Sequence, residues 1–154
     1  MTPSDAKDWA TIAGGAIALG ALVKSLIEYT KQGAQNRAKL FEDLRIRFKS
    51  DEVFRQICDL LEVNSPELTA ISFKEKRDFL GFFEEIAFMV NSGLMKKHIA
   101  HYMFGYYAIR CWESDNFWND VNRDSAYWSL FRHFAKQMAE IENNFEFDSR
   151  NYRI

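Results

Sequence analysis

Trp9-Ala-Thr-Ile-Ala-Gly-Gly-Ala-Ile-Ala-Leu-Gly-Ala-Leu-Val23 carries no charge and one polar side chain, Thr11. If Lys24 extends its ammonium toward water, the apolar run continues through Ile27, 19 residues in all. As a helix it measures about 28 Å, close to the roughly 30 Å hydrocarbon core of a bilayer. The run therefore predicts a transmembrane helix. Three other readings are weaker. A cleaved signal peptide fits Lys7 and Ala16-Ile-Ala18, but Asp5 and Asp8 spoil a basic leader and the apolar run continues past that site. A buried core helix fits the glycines and alanines that keep the hydrophobicity low. A helix lying on the membrane surface needs a polar face, which this run lacks.

Charge sets the orientation. Residues 24–49 hold seven basic side chains against three acidic ones, whereas residues 1–23 hold Lys7 against Asp5 and Asp8. Positive charge stays on the cytoplasmic side, so the expectation is a single-pass protein of a bacterial inner membrane, N-terminus outside and C-terminal domain inside. Lys24, Lys31 and Arg37 are then placed to meet anionic lipid head groups. Gly14, Ala18 and Ala21, with Gly20 on an adjacent stripe, let helix backbones approach closely in lipid and predict self-association. Two cysteines, Cys58 and Cys111, make no disulfide framework.

Working outward, residues 30–142 read as a helical bundle of about five helices, and residues 143–154 as a loose polar tail. The overall class is all-α. Ala34, Ala38, Phe41, Leu44 and Phe48 step by three and four, so the first bundle helix continues straight out of the membrane span. Ser50 is expected to cap a second helix with Val53, Phe54, Ile57, Cys58 and Leu61 inward. Ser72 and Glu75 form a capping-box pattern, and Gly93 is a natural stop; between them Phe79, Leu80, Phe83, Ile86, Ala87 and Val90 make one apolar face, and Phe82, Phe88 and Met89 make the opposite side apolar too, as expected of a central helix. An aromatic helix through Ile99, Tyr102, Met103, Tyr106, Ile109 and Trp112 is expected to extend through Trp118 and Val121. Ser125 then opens a last helix with Tyr127, Phe131, Phe134, Met138 and Ile141 on its stripe. No stretch alternates with period two, so no sheet is predicted.

Chemistry is sparse. Glu84 lies on the apolar face of the third helix, where a carboxylate needs a partner. Arg110 is the partner expected from the sequence, in a structural ion pair. His98 and His101 stand three apart without the further ligands a metal site needs. No arginine precedes His98, His101 or His133 by the four to six residues seen in helical ribonucleases. There is no Gly-x-Ser-x-Gly and no Gly-rich phosphate loop. From residue 50 onward twelve basic side chains face seventeen acidic ones, which argues against nucleic acid. The expectation is a non-enzymatic protein without cofactor or metal, whose partners are membrane lipid, further copies of itself and possible protein ligands.

Phe82-Phe83-Glu84-Glu85-Ile86-Ala87, Asn91-Ser92-Gly93-Leu94, Arg110-Cys111-Trp112-Glu113 and the Tyr127–Phe134 stretch follow an N-terminal apolar segment. In this the chain resembles a bacterial family of unknown function whose members join one membrane segment to a small helical domain. The resemblance covers most of residues 9–140 and implies no catalytic residue. In layout the chain is also similar to small membrane effectors of bacterial antiphage systems, including the membrane accessory protein of some RNA-targeting CRISPR systems. That likeness implies pore assembly and a ribonuclease-like fold, and the missing Arg-to-His spacing departs from the second.

Overall fold

A computed structural model describes residues 3–144 and 148–152 of the chain, with the side chains of residues 19–144, 148, 150 and 152. Helix α1 spans Pro3–Ser50, α2 Glu52–Glu62, α3 Phe73–Asn91 and α4 Lys97–Ala100. A π-helical segment, His101–Gly105, leads into α5, Tyr106–Glu113; α6 is Asp115–Trp118 and α7 Ser129–Asn143. Short 3-10 turns cover Pro66–Ala70, Ala126–Trp128 and Ser149–Tyr152. Among the described residues there is no strand, as an all-α chain requires.

The chain forms two units, residues 1–40 and 41–154. The division falls at Leu40/Phe41, eleven residues beyond the boundary expected at 29/30; among the described side chains of α1, Phe41 is the first that is buried. In the first unit Leu19, Leu22, Val23, Leu26 and Ile27 are all more than half exposed. Among the described residues no helix is long and apolar enough to cross a membrane. Side chains 9–18 of the expected span, Gly14 and Ala18 with them, lie outside the described residues.

The second unit is built round aromatic rings. Phe48 stands 5.1 to 6.3 Å, centroid to centroid, from Phe54, Phe79, Phe82, Phe83, Phe104 and Tyr107. Rings at such distances add roughly 0.5–1.5 kcal/mol per pair beyond area burial. Helix α7 packs on α3 and α5, and α5 also packs on α2. Phe79, Leu80, Phe83, Ile86, Ala87 and Val90 are buried as the periodicity required, and Phe82 joins them, while Phe88 is exposed.

Local signals fix most helix ends. The Glu75 N–H donates to Ser72 Oγ at 3.3 Å and the Ser72 N–H to Glu75 Oε2 at 3.0 Å, a complete capping box. Gly93 stops the chain at φ +75°, where a Cβ would be strained. Three expectations are corrected. The cap of α2 is Asp51, whose Oδ1 accepts from the Phe54 N–H at 3.0 Å, and Ser50 ends α1. The aromatic helix stops at Glu113, since Ser114 turns extended and caps α6 through the Phe117 N–H at 3.1 Å. On the last helix Trp128 takes the buried place expected of Tyr127, which is exposed. The 3-10 turn Ala126–Trp128, capped by Ser125, shifts the register.

Candidate functional site

A groove of about 790 Å³ lies between the end of α1, α2 and the π-helical segment. Phe48, Cys58, Met103 and Tyr107 supply its apolar surface, and six charged side chains rim it: Arg45, Lys49, Arg55, Glu52, Asp59 and Glu67. None of the six forms an ion pair among the described residues. The volume lies within the usual range for small-molecule sites.

Met103 reaches the groove from the π-helical turn, a geometry that in proteins concentrates at functional positions. The turn is held by a close approach: a Cβ on Gly105 would stand 2.8 Å from His101 Cδ2. Tyr107 donates its hydroxyl to Glu62 Oε1 at 2.7 Å. Burial first, and then that carboxylate, push the phenol up. Burial also pushes the Cys58 thiol up to about 12, with Asp59 and Glu62 adding to it. A thiol so placed is protonated at neutral pH and is a poor nucleophile. The groove therefore offers binding chemistry: a soft apolar floor and charges of both signs.

The residues singled out by sequence fall apart in space. Glu84 is half-buried, and burial raises its carboxyl, opposed by the backbone N–H of Phe131. That N–H belongs to the first turn of α7, whose N-cap residue, Trp128, provides no side-chain bond. The Glu84–Arg110 ion pair does not form: Arg110 is exposed, with its guanidinium 5.3 Å over the Tyr106 ring. The ion pair made by this part of α3 is Glu85 with Arg47, at 2.9 Å. Lys24 meets Glu28 at 3.9 Å on the exposed face of α1; Lys31 and Ala21 are exposed, and a Cβ on Gly20 would meet open space. His98 packs against Tyr152, 6.4 Å between ring centres, so part of the expected loose tail is ordered. Among the described residues no group of three or more His, Cys, Asp or Glu side chains is arranged to hold a metal ion.

Sequence reading missed Lys76. It is 1% exposed, has no hydrogen-bond partner at Nζ among the described residues, and stands 5.7 Å over the Phe117 ring. The signal was present, because Lys76 lies three and four residues before Phe79 and Leu80 on the same inward stripe.

No family model, no curated protein and no solved structure matches this chain.

Proposed function

We propose that this chain is a membrane protein that self-associates through α1 and perturbs or marks the membrane, as a pore-type effector in bacterial defence or stress. The observation that carries the reading is the surface of Leu19, Leu22, Val23, Leu26 and Ile27, each exposed by 52% or more. Exposed aliphatic surface on this scale marks a contact with lipid or protein. Isolated helices are marginal in water, so a helix bearing such a face gains from an apolar partner. The uncharged run 9–23, the basic residues 24–49 and the small residues Gly14, Ala18, Gly20 and Ala21 support a span with its C-terminal domain in the cytoplasm. The resemblance to small membrane effectors points the same way.

Alkaline carbonate extraction of bacterial membranes holding the full chain tests the span; retention in the pellet is expected, and release removes it. Gly14→Leu with Gly20→Leu is then expected to disperse the assembly in detergent. An unchanged assembly removes the self-association.

The groove beside α2 favours a second reading, a module that binds a protein or a small signal and is tethered by α1. In that case Arg45→Glu with Lys49→Glu abolishes co-purification of the partner while membrane retention is unchanged.

A further inference from the structure

Lys76 heads the inward stripe of α3, ahead of Phe79, Leu80 and Phe83. Its ammonium is shut from water and has no hydrogen-bond acceptor among the described residues, only the face of Phe117. A ring face at that distance returns only part of what an unpaired buried cation costs. Phe117 belongs to α6, so the side chain that confines the amine is carried by a short element between two turns.

The titratable and charged groups around the amine are Asp120, on the turn after α6, and the Cys111 thiol of α5. Arg123 acts on the same thiol and pairs with Asp115 at the start of α6. Burial lowers the amine's affinity for its proton more than Asp120 and Cys111 raise it.

The segment 114–128 buries Phe117, Trp118, Val121 and Trp128, and its Asp124 pairs with Arg132 of α7 at 3.9 Å. Ser114 Oγ donates to Asn64 Oδ1 at 2.7 Å, Asn116 Nδ2 to the Asn64 carbonyl at 2.8 Å, and Trp118 Nε1 to the Cys111 carbonyl at 2.8 Å. Two of these three tie it to a single residue, Asn64, which holds a positive φ of 46°. Because Phe117 is the ring that faces the amine, lifting this segment opens the ammonium to water.

We infer that Lys76 is a proton-operated release for the segment 114–128: the neutral amine leaves it docked on α3, and the protonated amine drives it off, uncovering Phe117, Trp118 and Cys111. The sign follows from linkage. A lysine whose proton affinity is lowered by folding costs nothing above its unfolded value near 10.5, and the cost grows as pH falls toward the folded value. Below the folded value the cost is constant. One proton is taken up per opening, so the opening constant changes up to about tenfold per pH unit within that window.

The test uses the full chain and Lys76→Met, alkylated with iodoacetamide between pH 7 and 10, with each cysteine peptide read by mass spectrometry. Cys111 reacts from the open segment, where Lys76 no longer faces it, so thiol ionisation cancels in the ratio of wild-type to variant rates. The ratio at Cys111 is expected to climb as pH falls and then level, while the ratio at Cys58, which lines the groove, stays flat. A flat ratio at Cys111 overturns the inference, and so does a parallel rise at Cys58, which reports opening of the whole unit. If Lys76→Met does not fold, Asp120→Asn serves instead. Loss of the carboxylate facing the amine should speed alkylation of Cys111 severalfold near pH 7 and leave Cys58 unchanged; equal rates at Cys111 overturn the inference.

Discussion

Glu84 shows how far a single residue can be read. Its oddity was legible, since a carboxylate three and four positions from Leu80 and Ala87 must be on an apolar face. Its partner was not, because a backbone N–H 47 positions along the chain, at Phe131, has no signature in residue type. Because burial raises this carboxyl, the folded state holds the proton more tightly than the unfolded chain does. The stability it contributes is complete below about pH 4.5 and is lost as pH rises through the folded value. Glu84→Gln keeps an acceptor for Phe131 without the buried charge. It should equal or exceed the native chain in denaturant midpoint at pH 7, with the difference gone at pH 4. Lys76 was overlooked for the opposite reason: a lysine at the head of a stripe is read as reaching water, and only the packing of Phe117 shows that it does not.

Among the elements, those that end on local chemistry were legible. Ser72, Glu75 and Gly93 bound α3 as their types require, and the cap of α2 moved by one residue from Ser50 to Asp51. Asp51→Ala should lower stability by about 1 kcal/mol, read as a shift of the denaturant midpoint. The π-helical segment was illegible, since one turn with an extra residue leaves the apolar spacing of Ile99, Met103 and Ile109 compatible with an ordinary helix. It does yield a sharp expectation. Gly105 has φ −59°, so its backbone accepts alanine, and helix propensity alone favours the change by about 1 kcal/mol. The Cβ, however, meets His101 Cδ2 at 2.8 Å. Gly105→Ala should therefore destabilise by about 1–2 kcal/mol, and in a His101→Ala background the same change should turn neutral or stabilising.

For the molecule as a whole, the helical bundle and its aromatic core could be read from spacing, because Phe48, Phe79, Phe83, Phe131 and Phe134 all recur at steps a helix needs. The unit boundary could not. Ala34, Ala38 and Phe41 share one stripe, and only packing shows that Phe41 is where burial begins. The groove was equally hidden: its rim joins α1, α2 and the turn after it, and no single segment carries its pattern. The apolar face of α1 gives the prediction at this scale. Leu22→Glu with Leu26→Glu should abolish flotation of the full chain with anionic liposomes. The denaturation midpoint should stay within about 0.5 kcal/mol, since both side chains are exposed.

Trp118 stands 5.9 Å from Trp112 and 6.5 Å from Trp128, measured between ring centres, at angles of 76° and 64°. Indoles this close and this steeply inclined share their electronic excitations. The chain thus carries its own optical gauge: a coupled signal in circular dichroism, extinguished as soon as Trp118 leaves its neighbours. That signal follows one corner of the bundle in native protein, without a label, while the helical signal of the rest stays constant.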